Sequence, residues 1–454
     1  MTTAEQERAT TGIQVASKTR YWVVAFAVTL AMVQYVDRIC ISKAMGNVKA
    51  ELGLTKEQIG YVFGAFTLGY ALFEIPGGWL GDRYGPRKTL MRIVCWWSFF
   101  TAATGWVGGF ISMIAVRFSF GAGEAGYFPN VARAFMTWLL PSERVRAQSI
   151  LWLGARWAGA FTPVLVVKFL EIVSWRQAFM ILGALGAVWA VVFYLWYRDN
   201  PCDHPGVNAA ERDLLSKNAS YSSGHGNVPW SLLISSPWTW MIWAQYFFLS
   251  YVWYFYVTWL PTFLDLTYGS KTAAENGGVA VTGLSPTYLG LLAGVPLFFG
   301  GFGSLISGFL ERRLTDFTGN LKLTRRIQGC VSFIGAAIAL VVAANTTNPI
   351  AVMLALGMAS FFGDLTLPCS WGVCMDVGGR YAGTYSGSMN MMGNLGGVVA
   401  PIVTGYIVIN NNWTPVFYIS AFACVLASLC WAFLNPKRTL DEGETHTGPE
   451  AAAA

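Results

Sequence analysis

The chain has 454 residues, of which 54% are hydrophobic, 15% aromatic and only 12% charged, with a formal net charge of +6. A soluble chain carries about twice that charged fraction, so the composition excludes an ordinary water-soluble enzyme and describes an all-α membrane protein. The positive charge does not imply nucleic acid, because the bases lie in short clusters between apolar segments and not along one basic face.

Residues 1–20 form a polar tail carrying Arg8, Lys18 and Arg20, and the apolar run that follows is too long and too poorly flanked for a cleaved signal peptide. Apolar stretches long enough to cross a bilayer, about 18 residues or more, fall near 21–42, 58–80, 89–109, 110–134, 147–171 and 178–197. They predict a first six-helix bundle over 21–197. Residues 198–236 read as a linker, with Asp199-Asn200-Pro201, Asp203-His204-Pro205 and a Ser/Gly/Asn stretch around Tyr221 to Asn227. A short amphipathic helix is expected within it near Ala209 to Leu215. Six further stretches near 237–264, 287–311, 326–345, 349–374, 382–408 and 415–435 predict a second bundle over 237–435, followed by a disordered tail, 436–454. The expected fold is therefore twelve transmembrane helices in two six-helix bundles.

Placing the N-terminus inside puts 20 of the 30 lysines and arginines in inner segments, 6 in outer ones and 4 in the membrane. Basic residues concentrate on the cytoplasmic side, so both termini are expected there, with the chain in the cell inner membrane. The eight cysteines show neither metal-ligand nor redox spacing. No metal and no cofactor is expected, and the chain is expected to act as a monomer.

The halves carry traces of a repeat. Gly154-Ala155-Arg156-Trp157-Ala158-Gly159 with Pro163 matches Met392-Gly393-Asn394-Leu395-Gly396-Gly397 with Pro401 at an offset of 238 (394 − 156). More loosely, Gly123-Glu124 with Phe128-Pro129 matches Gly363-Asp364 with Leu367-Pro368.

Away from helix ends, the ionisable residues expected inside the membrane are Asp37, Arg38, Glu74, Arg117, Glu124, Arg156 and Asp364. A charge near the middle of a membrane helix costs about 2.5 to 3.5 kcal/mol on insertion scales, so such residues face a cavity or a partner. Arg117 and Glu124 are seven apart and share one face of a helix. Arginine stays protonated and offers a planar fork that grips a carboxylate, which suits Arg38, Arg117 and Arg156 to an organic anion. A desolvated carboxylic acid can hold a proton near neutral pH, which suits Asp37 and Glu124 to proton coupling. The plainer alternative is a set of ion pairs that only hold helices together. Tyr35, Tyr70, Gln245, Tyr251, Tyr254, Ser370, Trp371, Asn390 and Asn394 could contact a polyhydroxylated ligand, although membrane tyrosines and tryptophans often only pack or anchor. Glu74, just before Pro76, reads as structural at the inner gate.

Gly78-Trp79-Leu80-Gly81-Asp82-Arg83-Tyr84-Gly85-Pro86-Arg87-Lys88 resembles the signature loop of the major facilitator superfamily, with Asp82, Arg83, Gly85 and Arg87 at its gating positions. Within that superfamily the chain resembles the anion:cation symporters. The residues that carry this are Tyr35-Val36-Asp37-Arg38, Tyr70 with Ile75-Pro76-Gly77-Gly78, Arg117 with Gly121, Glu124 and Phe128-Pro129, Ser370-Trp371, and Asn390 with Leu395-Gly396-Gly397. The resemblance implies a transporter and not an enzyme, driven by protons and carrying a small organic anion such as a sugar acid. It implies protonation at Asp37 and Glu124, carboxylate binding by Arg38, sugar contacts from Tyr35, Tyr70, Ser370, Trp371 and Asn390, and pairing of Arg117 with one of the acids. Arg156 is a departure, since galactonate-type members have a neutral glutamine on that helix. It either favours a substrate with a second anionic group or neutralises Asp364 across the central cavity. The alternative activity is organophosphate/phosphate antiport, with Arg38 and Arg156 clamping phosphate.

Overall fold

The computed structural model describes residues 15–216, 228–269, 283–408 and 412–435. The two tails beyond these limits, and the Ser/Gly/Asn part of the linker, lie outside the described residues. The first half contains α1 (Arg20–Leu52), α2 (Lys56–Tyr84), α3 (Pro86–Thr104), α4 (Phe110–Glu124), α5 (Tyr127–Trp138), α6 (Pro141–Ile172) and α7 (Trp175–Trp196). The linker contributes α8 (Ala209–Ser216) and α9 (Trp230–Ser235). The second half contains α10 (Pro237–Thr258), α11 (Leu260–Tyr268), α12 (Pro286–Thr318), α13 (Leu321–Ala344), α14 (Pro349–Asp364), α15 (Leu367–Gly378), α16 (Ala382–Ile407) and α17 (Thr414–Phe433).

Eight stretches are individually long and apolar enough to cross a membrane, one of them, Pro349–Ile407, holding three helices in succession. The others fall short for plain reasons. Arg87, Lys88 and Arg92 lie in α3, and α4 and α5 are half-length pieces of one crossing. Joining α4 with α5, α10 with α11 and α14 with α15 gives twelve crossings among the described residues, an all-α membrane architecture.

Proline explains the three breaks. It lacks the N–H that would bond the carbonyl four residues back, so Pro129, Pro261 and Pro368 free the carbonyls of Ala125, Val257 and Asp364. Polar side chains bond the backbone around two of the breaks: Asn130 donates to the Gly126 and Gly77 carbonyls at 2.7 and 2.9 Å, and the Thr366 hydroxyl donates to the Gly363 carbonyl at 2.7 Å. As a result Glu124 and Asp364 each form the last residue of a half-helix.

Several helices overrun their expected ends. At 1.5 Å per residue, the 33 residues of α1 reach about 50 Å, well beyond a hydrocarbon layer of about 30 Å. Gly53 stops α1 in a left-handed conformation at φ 64°, and Gly319 stops α12 at φ 63°. The longer α12 puts Glu311 inside a helix and not at its end. The short linker helix α8 docks against the first half, where buried Glu211 accepts from Arg20 at 2.8 Å and from the Ser17 hydroxyl at 2.5 Å.

The two halves meet tightly at the end that carries the arginine-rich loops, the basic end. The Asp82 carboxylate accepts from the Gly383 and Thr384 backbone N–H groups at 2.9 and 2.6 Å and from the Thr384 hydroxyl at 2.7 Å, capping the start of α16. Arg133 stands 3.7 Å from the same carboxylate. Arg144 of α6 donates to Asp376 of α15 at 2.8 Å, and Arg325 joins Asp376 to Glu311 at 2.8 and 2.7 Å. Arg83 lies over the Trp79 and Tyr84 rings, and Arg87 donates to the Tyr194 carbonyl at 2.8 Å. Gly85, at φ 82°, turns the chain into α3 with the Asp199 carboxylate packed where a side chain would stand. Gly78 of α2 lies so close to Gly383 of α16 that a Cβ there would strike the Gly383 carbonyl.

Gly78→Val should therefore prevent closure of the basic end without touching the cavity. In protein stripped of native cysteines, a cysteine replacing buried Ser386 should become labelled by an impermeant maleimide applied from that end. Labelling equal to the Gly78 parent would refute this account of the seal.

Candidate functional site

Between the halves lies a cavity of about 60 Å³, lined by Tyr35, Arg38, Tyr70, Phe128, Trp152, Arg156, Tyr246, Leu249, Ser250, Trp253, Tyr254, Leu367, Asn390 and Asn394. At about 10 to 15 Å³ of such space per water, it has room for roughly four to six waters in this state. Seven of the expected site residues reach its wall: Tyr35, Arg38, Tyr70, Arg156, Tyr254, Asn390 and Asn394.

Two arginine–acid pairs flank it. Arg38 Nε donates to Glu124 at 2.8 Å; Glu124 is fully buried, and Arg38 Nη2 has no hydrogen-bond partner among the described residues. The Arg38 guanidinium lies 4.5 Å from the Tyr70 ring centre and 5.3 Å from that of Phe66. Arg156 grips Asp364 with a fork, Nε to Oδ2 at 2.6 Å and Nη2 to Oδ1 at 2.9 Å, both side chains almost fully buried. The Trp253 and Trp152 rings flank Arg156 at 4.7 and 5.7 Å. Aromatic faces stabilise a guanidinium without consuming its N–H donors. Of the two readings left open for Arg156, this state adopts the pairing with Asp364, across the two halves.

Asp37 is buried beside this region, and neither carboxylate oxygen has a hydrogen-bond partner among the described residues. Arg117 is buried as well and stacks 4.5 Å from the Phe120 ring and 5.2 Å from that of Phe66, its Nε unpartnered. The expected pairing of Arg117 with an acid is not made among the described residues in this state: Arg38 takes Glu124, and Asp37 has no hydrogen-bond partner.

Glu74, expected at the inner gate, is fully buried behind Asn390 and Asn394 of the cavity wall: the Asn390 amide donates to Oε1 and the Asn394 amide donates to Oε2 at 2.9 Å. The Tyr254 hydroxyl donates to Asn394 Oδ1 at 2.9 Å, completing a bridge from α2 through α16 to α10. Ser370 and Trp371 sit one layer behind the wall. The Ser370 hydroxyl donates to the Thr366 carbonyl at 3.0 Å and receives Gln245 at 3.1 Å, while Trp371 donates to the Tyr246 hydroxyl at 3.1 Å.

Tyr246, Leu249, Ser250 and Trp253 were absent from the expected site. With Tyr254 they follow the spacing i, i+3, i+4, i+7, i+8, one stripe of α10, so helical periodicity was the signal that could have found them. Trp152 sits four residues before Arg156 on α6 and stacks on Phe128 with ring centres 4.5 Å apart.

Residues 27–401 match the Major Facilitator Superfamily. The chain belongs to that superfamily. It is thus a membrane transporter and not an enzyme. A probable sulfoacetate transporter of Cupriavidus necator is 32% identical over 95% of this chain and 97% of its own length. A probable galactarate/D-glucarate transporter of Escherichia coli K12 is 28% identical, covering 88% and 90%. A D-galactonate transporter of Escherichia coli O6:H1 is 28% identical, covering 89% and 93%. Among solved structures, the E. coli fucose:proton symporter shares the fold with a TM-score of 0.69 at 13% identity, covering 92% of this chain and all of that one.

Breaking a buried ion pair by removing one partner costs about 3 to 5 kcal/mol, whereas removing both is close to neutral. Asp364→Asn or Arg156→Gln alone should each lower the unfolding temperature in detergent markedly, and the double variant should recover most of the loss. Additive losses would show that the two side chains are not coupled.

Proposed function

We propose that this transporter is a proton-coupled symporter that imports a small organic anion, in the first instance a sugar acid, by alternating access of a central cavity. We further propose that it lies in the cell inner membrane with both termini, and the basic end, in the cytoplasm. On that orientation the state described is closed to the cytoplasm by Asp82, Arg144 and Asp376.

The observation that carries the reading is the 2.8 Å contact between Arg38 and Glu124 at the cavity wall. A carboxylate entering the cavity competes with Glu124 for the same guanidinium. Once released in a space with little water, Glu124 is a costly charge until it binds a proton. Substrate and proton are then taken up together for electrostatic reasons, with no moving part required. Asp37, whose oxygens find no donor, is suited to carry a proton at the next position along α1, and Arg117 tunes the field on both acids.

The ledger of buried charge agrees. Asp37, Glu74, Glu124 and Asp364 offset Arg38, Arg117 and Arg156, so the cavity holds no surplus cation for an anion to neutralise. An anion entering without protons would add uncompensated charge in a low-dielectric space. The substrate class draws further support from the relatives, whose names specify galactarate, D-glucarate, D-galactonate and sulfoacetate. Tyr35, Tyr70, Tyr254, Asn390 and Asn394 supply hydroxyls and amides around the cavity for a sugar chain.

Glu124→Gln tests the coupling. In proteoliposomes the variant should still exchange labelled anion for unlabelled anion, and should lose accumulation driven by a pH gradient. Accumulation at the level of the parent would remove Glu124 from the coupling step. Counterflow driven by inorganic phosphate without a pH gradient would overturn the symport reading in favour of antiport.

A further inference from the structure

Asp364 occupies in the second half the place that Glu124 occupies in the first. Each is the last residue of a half-helix, α14 and α4, followed by two residues of turn and then a half-helix with proline at its second or third position. Each is buried, and each is held by an arginine that lines the same cavity. The second arginine, Arg156, comes from the first half, so the pair closes across the interface. The proton-coupled reading above counts Asp364 in the charge balance and gives it no part in the coupling step.

The two guanidiniums are also close to one another in kind and place. The Tyr35 ring lies 6.0 Å from the Arg38 guanidinium carbon and packs on Gly159, one helical turn from Arg156. Among the described residues Arg38 bonds its acid through Nε alone and Arg156 through Nε and Nη2, and Arg38 Nη2 is buried without a hydrogen-bond partner. The Nη1 group of each arginine is left unbonded while both side chains line the cavity.

We infer that Arg156–Asp364 is a second anion-docking position equivalent to Arg38–Glu124, and that the preferred substrate carries two anionic groups, one for each guanidinium. This rests on the proton-coupled reading and deepens it. At each position the entering anionic group takes the guanidinium, the carboxylate lets go, and one proton from the open side neutralises it. Before binding, the four side chains sum to zero. With a dianion and two protons bound they again sum to zero, two positive arginines against two negative substrate groups, both acids being neutral. A monoanion displaces one acid and brings one proton fewer. Release of the dianion to the other side lets both acids return their protons and re-pair.

The second position also bears on alternating access. Arg156–Asp364 joins α6 to α14 across the halves, and an anionic group placed on Arg156 removes one side of that joint. A dianion therefore loosens a link between the halves that a monoanion leaves in place.

The test uses the whole purified protein and five named probes: sulfoacetate and D-glucarate as dianions, and acetate, methanesulfonate and D-galactonate as monoanions. Calorimetric titration in two buffers of different ionisation enthalpy gives affinity and proton uptake together. The dianions should bind at least about ten-fold tighter than the monoanions and take up one more proton per molecule. In the neutral double variant Arg156→Gln, Asp364→Asn, the preference should fall to within about two-fold and the extra proton should vanish. Equal affinity and equal proton uptake for both classes in the parent protein overturns the second docking position while leaving the proton-coupled reading intact. Persistence of the preference in the double variant overturns it as well. Anion binding with no proton uptake at all overturns both. The comparison of dianions with monoanions in the parent protein decides the matter even if the double variant does not fold.

Discussion

A charge inside a bilayer must be met by an opposite charge or by a polar cavity, and in this protein the rest of the organisation follows from that requirement. Glu124 with Arg38 and Asp364 with Arg156 satisfy it in pairs. Such pairs add little net stability, because the attraction is spent against desolvation, yet they are costly to leave half-made. A site built this way is replaceable: any ligand group of the right charge can stand in for one partner, provided something neutralises the partner that is set free.

The same interactions also hold the halves together, so occupancy and conformation draw on one set of contacts. Arg156–Asp364 and the clasp of Glu74 by Asn390 and Asn394 both cross the interface at the level of the cavity. Asp82 crosses it again at the basic end, capping the buried N–H groups that begin α16, where the positive end of a helix dipole favours a carboxylate. Glu74 and Asp82 lie on α2, eight residues or about 12 Å apart along the axis. One helix, with Pro76 inside it between the two contacts, therefore touches α16 at both levels.

The likeness of the two halves is visible in packing. Gly159 of α6 lies against the Tyr35 ring of α1, and Gly397 of α16 lies against the Tyr254 ring of α10. Arg156 and Asn394, three residues before those glycines, are a cation and a neutral amide. The close approaches are alike while the polar groups displayed differ: the first half supplies the guanidiniums, and the second the amides and Asp364.

Hydropathy, proline positions and the signature loop determined the class, the twelve crossings and the helix breaks, because each is a local property of the chain and of its need to satisfy its own backbone in lipid. The residues of the site were largely legible too, since a charge in an apolar run is conspicuous wherever it ends up. Partnership was not. That Arg38 holds Glu124, that Arg117 stacks on rings, that Glu74 belongs to two asparagines more than 300 positions away and that Ser370 and Trp371 stand behind the wall were decided by the rotation and tilt of packed helices. Those depend on contacts summed over whole surfaces, and no single stretch of sequence contains them.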